Sequence, residues 1–288
     1  MDSNQINDLR HQMKILREKR EDLIQPLDLY SFVLDAYEEF DPDEFNTVID
    51  VPEAAAKGPF PFIDLVDADL DFAAAVPLFK KICKVFVDNV ETADDVKNIP
   101  DTNDENAVES LVRAFRVFAA AGKAGSIEVD RPVSAQMVFI SFLTLRRYMD
   151  RILSIARSRL DPEENSYEAT CPVCGGKPLF AKLIEEEGFR HLVCGACESS
   201  WLYKRLKCTF CGNEDQETIE YLMTDEESPY TAFTCDKCRN FLKFIDTRKH
   251  NVFIDTVFET IATAHWDYLA QQNGYTSGTP WLGLDTKN

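Results

Sequence analysis

The chain has 288 residues, is 45% hydrophobic and carries a formal net charge of −19 at pH 7, with most of the acidic excess ahead of Cys171. That length allows two domains with real cores, and the acidity repels a phosphate backbone, which argues against general nucleic-acid binding. No apolar run is long enough to span a bilayer, and Met1-Asp2-Ser3-Asn4-Gln5 has neither a basic nor an apolar leader region, so the sequence predicts a cytoplasmic protein with no membrane insertion.

The first half reads as helical. Ile6, Leu9, Met13, Leu16, Leu23 and Ile24 fall on one face of an amphipathic helix that Pro26 is expected to end, and packing on its own domain explains that face better than a membrane or partner helix. A second helix runs from Tyr30 to Phe40. Residues 50 to 63, with Pro52, Gly58, Pro59 and Pro61, form a loop. A helix from Asp67 to Val90 follows, kinked at Pro77 and holding Cys83 as a small buried side chain.

Asp94 to Asn106 is an acidic linker before a helix from Ala107 to Ala121, which Gly122 to Gly125 breaks. Pro132 opens the longest predicted helix, to about Leu160, apolar nearly all round from Val133 to Leu145. Arg146, Arg147, Arg151, Arg157 and Arg159 make its end basic, as the helix dipole favours, although such a cluster could also bind an anion. Residues 161 to 166 are the linker to the second half.

That half is built on four Cys-x-x-Cys pairs, Cys171/Cys174, Cys194/Cys197, Cys208/Cys211 and Cys235/Cys238, which use eight of the nine cysteines. A two-residue gap lets one tight turn aim two sulfurs at a single ion, and two such turns complete a tetrahedral site. Nineteen residues separate Cys174 from Cys194, twenty-three separate Cys211 from Cys235, and only ten separate Cys197 from Cys208. Each long gap reads as a hairpin: Pro178 to Ile184 returning through Phe189 to Val193, then Thr218 to Met223 returning through Tyr230 to Thr234. The first knuckle therefore pairs with the second (site 1) and the third with the fourth (site 2). Pairing outer with outer and inner with inner needs longer loop closure.

Gly175 and Gly212 follow the second cysteine of their pairs, where positive φ is wanted, whereas Glu198 and Arg239 hold the equivalent places less suitably. Lys177, Arg190, Lys204, Arg205, Lys207, Lys237, Arg239 and Lys243 supply positive charge that could balance the thiolates. Four disulfides would close strained loops, and a thioredoxin-like redox pair needs a helix after the motif, which no pair has. Spacing does not separate iron from zinc.

Beyond Cys238, Phe241 to Ile245 reads as a last strand. Val252 to Gln272 reads as an amphipathic helix with Val252, Phe253, Val257, Ile261, Ala264, Tyr268 and Leu269 apolar, and Thr276 to Asn288 as a loop-like tail whose Trp281 and Leu282 seek a groove.

The ordered set Cys171-Pro172-Val173-Cys174-Gly175, Leu192-Val193-Cys194-Gly195-Ala196-Cys197-Glu198-Ser199-Ser200-Trp201, Arg205-Leu206-Lys207-Cys208-Thr209-Phe210-Cys211 and Cys235-Asp236-Lys237-Cys238, with Leu242-Lys243 after it, resembles the formate dehydrogenase accessory protein (FdhE) family. Asp267, Gly274-Tyr275 and Pro280-Trp281-Leu282 extend the likeness over about residues 171 to 283. Ahead of Cys171 only Arg131-Pro132 is similar. The resemblance implies an α+β protein with a helical N-terminal domain (1 to 165), two tandem rubredoxin-like, or zinc-ribbon-like, modules (166 to 205 and 206 to 250), and a C-terminal helix and tail (251 to 288). It further implies two bound iron ions, with zinc as native or substituted alternative, and a cytoplasmic maturation factor that binds the immature formate dehydrogenase catalytic subunit without being an enzyme. Two other functions compete. One is a zinc-ribbon nucleic-acid factor using Arg190, Lys204, Arg205 and Lys207 among Phe189, Trp201 and Tyr203. The other is a rubredoxin-like electron carrier.

Overall fold

In the computed structural model, residues 1–41, 61, 71–94, 96–121, 133–158, 168–184, 188–223, 228–249 and 254–279 are described. The expectations for the proline-rich loop at 50 to 60, for Gly122 to Gly125, Pro132 and Arg159, for the 161 to 166 linker and for Trp281 and Leu282 lie outside those residues.

Helix α1 (Ser3–Lys19) opens on a capping box, in which the Asp2 carboxylate accepts from Gln5 N and the Gln5 side chain accepts from Asp2 N. It ends earlier than predicted. A short 3-10 turn leads into α2 (Ile24–Glu38), and Pro26 sits in the first turn of α2 rather than closing α1. The physical reason is that a first-turn N–H has no intrahelical partner to lose. Ile6, Leu9 and Met13 are buried in the protein's own core, so α1 packs at home as expected.

Helices α3 (Phe72–Asn89) and α4 (Asp104–Ala121) follow, with Pro77 inside α3 and Cys83 fully buried. The single long helix predicted after Pro132 is two, α5 (Ala135–Tyr148) and α6 (Asp150–Ser158), interrupted at Met149 where ψ opens to 0°. The apolar pattern runs unbroken through that point and conceals it.

The C-terminal half is a mixed sheet with helices at its end. Strands β1 (Pro178–Ile184), β2 (Phe189–Cys194), β3 (Ser200–Leu202), β4 (Ile219–Leu222), β5 (Tyr230–Cys235) and β6 (Asn240–Asp246) carry the predicted hairpins β1–β2 and β4–β5. A seventh strand, β7 (Thr276–Ser277), lies parallel to β6, so the start of the supposed loop-like tail is paired instead.

The order β3-β2-β1-β6-β5-β4 makes one continuous sheet out of both halves of the cysteine region. Its seam is the parallel pair β1–β6, with Phe180 opposite Lys243 and Leu183 opposite Asp246. Consistent with that central place, five consecutive β6 residues, Phe241 to Ile245, are buried.

The last helix also differs from expectation. Asp255 caps it at Thr256, and Thr263 divides it into α7 (Thr256–Ala262) and α8 (Ala264–Gln272). Tyr268, predicted apolar and inward, is 67% exposed, and the buried anchor of α8 is Trp266. One hydrophobic core runs from Ile6 and Leu9 through Phe142 and Leu143 to Cys171, Cys194, Trp201 and Phe258, so helices and cysteine knuckles share an interior.

Candidate metal centres

Each knuckle is the same turn. Gly175 N donates to Cys171 O at 2.8 Å, Glu198 N to Cys194 O at 3.1 Å, Gly212 N to Cys208 O at 3.0 Å and Arg239 N to Cys235 O at 2.8 Å. All four residues hold the left-handed conformation, with φ of 72°, 58°, 72° and 57°. The sequence placed the two glycines correctly, and the two non-glycines adopt the same backbone.

The sulfurs converge as two quartets, Cys171/Cys174/Cys194/Cys197 and Cys208/Cys211/Cys235/Cys238, with the ligand atoms of each set within 4.8 Å of one another. In the first, Cys171 Sγ is 3.5 Å from Cys197 Sγ and Cys174 Sγ is 3.5 Å from Cys194 Sγ; in the second, the Cys208–Cys238 and Cys211–Cys235 separations are 3.7 Å. A tetrahedral ion with metal–sulfur bonds of about 2.3 Å sets its sulfurs roughly 3.8 Å apart, and a disulfide sets them about 2 Å apart. The spacing fits four thiolates around an ion, and these cysteines are not disulfide-bonded. The pairing of knuckles is first with second and third with fourth.

Local groups suit thiolates. Ala196 N lies 3.3 Å from Cys194 Sγ, Ser199 Oγ 3.2 Å from Cys197 Sγ and Asn213 Nδ2 3.6 Å from Cys235 Sγ. Burial pushes the Cys171 and Cys208 thiols well up, so holding them ionised calls for a cation at the centre. Gly176 is required by close approach: a Cβ there would stand 3.0 Å from Cys194 Sγ and 3.3 Å from Cys174 Sγ.

The two centres differ in exposure. All four cysteines of the first are buried, whereas in the second Cys211 is exposed and Cys238 half-buried.

Five of the eight basic residues near the knuckles, Arg190, Lys204, Lys207, Arg239 and Lys243, have other partners. Arg190 is 1% exposed, lies over the rings of Tyr203, Phe233 and Phe244, and donates to Lys204 O, Lys207 O and Thr209 Oγ1, which fastens the segment between the second and third knuckles. Lys204 and Lys207 pair with Glu214, Arg239 with Asp236, and buried Lys243 with Asp267 at 2.7 Å. Trp201 and Tyr203 are buried as well, so of the aromatic residues a nucleic-acid factor would use only Phe189 is exposed.

Sequence reasoning missed the hub beside the first centre. Arg146, read as a dipole partner, is buried: its Nε donates to Glu198 Oε2 at 2.9 Å, its NH1 to Tyr30 Oη at 3.0 Å, and its NH2 to Asp255. Glu198 also accepts from Thr256 N at 3.0 Å and Thr256 Oγ1 at 2.7 Å. The second knuckle is thereby tied to α2, α5 and α7. Asp255 immediately before Thr256-Val257-Phe258 was the available signal, an N-cap that the predicted start at Val252 overran.

Two family models match the chain, the FdhE central domain over residues 170–205 and the FdhE C-terminal domain over residues 206–282. A protein FdhE homolog of Aquifex aeolicus is 36% identical over 115 residues, covering 39% of this chain and 40% of that protein. Protein FdhE of Escherichia coli O9:H4 is 28% identical over 155 residues, covering 52% and 49%. These matches thus span about half or less of the curated relatives. The crystal structure of the FdhE protein from Pseudomonas aeruginosa superposes with a TM-score of 0.72 at 16% identity, covering 100% of this chain and 98% of that one, which extends the likeness of fold to the helical half.

Proposed function

The chain belongs to the FdhE family, and on that premise we propose that it is a metal-bearing accessory factor for formate dehydrogenase that binds the immature catalytic subunit in the cytoplasm. The observation that carries this reading is the closed donor set. Four thiolates at tetrahedral spacing saturate an ion and leave no coordination position for a substrate, so each centre acts by holding surface in place rather than by turnover. Cys171, Cys174, Cys194 and Cys197 hold one ion and Cys208, Cys211, Cys235 and Cys238 the other. Iron is the metal we propose, with zinc compatible with the same sulfurs. No described helix is long and apolar enough to cross a membrane.

Anaerobic co-purification with a formate dehydrogenase catalytic subunit tests the proposal. Retention by the metal-loaded protein and loss on chelation are expected, and no retention under reducing conditions overturns it. Elemental analysis of protein prepared without oxygen decides the metal.

A further inference from the structure

Where the helical half meets the sheet there is a cavity of about 490 Å³, lined by Arg146, Arg147, Asp150, Arg157, Lys182 and Glu198 among others. Its volume is that of a small-molecule site. Its charge runs against the molecule, because a protein of net charge −19 here concentrates cations from α5, α6 and β1.

Part of that charge is accounted for. Arg146 is neutralised by Glu198 and Asp255. Arg147 donates to the carbonyls of Tyr37 and Phe40 near the end of α2. Arg157 donates to Cys197 O at 3.0 Å and reaches Asp150 only at 3.5 Å.

Lys182 has no such explanation. It points from β1 into the cavity, and among the described residues it has neither a carboxylate partner nor a hydrogen-bond acceptor, while burial pulls its ammonium below the usual lysine range. A half-buried ammonium ion that lines a cavity without a counter-ion favours an anion coming to it.

We infer that this cavity is a binding site for a small phosphate-bearing molecule, whose oxyanion is held by Lys182 and Arg157. A doubly charged tetrahedral group can meet both cations at once, whereas a single carboxylate neutralises one. Because Arg157 is also bonded to the carbonyl of Cys197, the ligand would brace α6 and β1 against the knuckle of the first metal centre. The site does not depend on the accessory role proposed above, since it is measured with no client present.

The test is calorimetric titration of the full metal-loaded chain with inorganic phosphate, and with acetate at the same ionic strength. Saturable phosphate binding with none for acetate is expected, together with a rise in Tm on adding phosphate. Lys182→Gln should weaken phosphate binding about tenfold or more and abolish the Tm rise, Lys182→Arg should retain both, and Lys204→Gln, at an exposed pair with Glu214, should change neither. Absence of saturable phosphate heat, equal binding of acetate, or wild-type affinity in Lys182→Gln overturns the inference. Metal content checks that each variant is folded, and if Lys182→Gln is not, the phosphate and acetate titrations of wild type and Lys182→Arg still decide.

Discussion

Glu198 and Arg239 hold the same left-handed backbone, which costs a non-glycine residue about 1 kcal/mol, yet they are predicted to respond unequally to replacement by glycine. Arg239 gives up only an exposed pair with Asp236 and a stacking contact on Tyr275, together worth roughly 1 kcal/mol, so Arg239→Gly should leave stability nearly unchanged. Glu198 gives up charge-assisted bonds to Arg146 and Thr256 worth about 2 kcal/mol each, and Glu198→Gly should destabilise by roughly 2 kcal/mol or more in denaturant titrations. Gly176→Ala should lower the metal content, read by elemental analysis, since the new methyl crowds two sulfurs of the first candidate centre. The cysteines and Gly175 and Gly212 were legible because their geometry is set within a few residues. Arg146 was not, because its partners Tyr30, Glu198 and Asp255 lie on three distant elements.

Helices α7 and α8 are fastened to the rest through charges rather than through apolar contact alone. Lys243 on β6 is buried against Asp267 of α8, and Asp267→Ala would strand that ammonium; a loss on the order of 3 kcal/mol is expected, with Lys243→Met in the same background restoring part of it. On α7, Glu259 is fully buried, and burial reinforced by the charge of Asp255 pushes its carboxyl up to about 8, partly offset by the neighbouring Tyr230 hydroxyl and Lys243. Between the ordinary glutamate range and pH 8 the folded chain keeps a proton that the unfolded chain releases, so raising the pH across that window erodes stability. Glu259→Gln should flatten this slope and be the more stable form above pH 8, measured as the difference between the two pH profiles of unfolding free energy. Helix existence was readable from apolar periodicity, but the breaks at Met149 and Thr263 were not, since the apolar pattern continues through both.

At the scale of the whole molecule, the two metal centres sit at unequal depth in one shared interior. A chelator at rising concentration should therefore remove metal in two steps, first from the centre that includes exposed Cys211, then from the centre whose four cysteines are buried, with loss of helical signal accompanying only the second. Cys211→Ser should remove the first step and leave the second. The sequence announced both hairpins through their alternation and turns, but not the join between them, because a parallel contact between strands far apart in the chain leaves no local pattern. That join also sets an order of events during synthesis. Strand β1 leaves the ribosome roughly 60 residues before β6, and at ordinary elongation rates its unpaired edge waits some seconds, about 3 to 12, for the strand that will cover it. Through that interval a nascent chain offers a bare hydrogen-bonding rim to any neighbour, so crowded translation or slow decoding between Ile184 and Asn240 should raise the yield of insoluble product, and early metal capture by the first four cysteines should lower it.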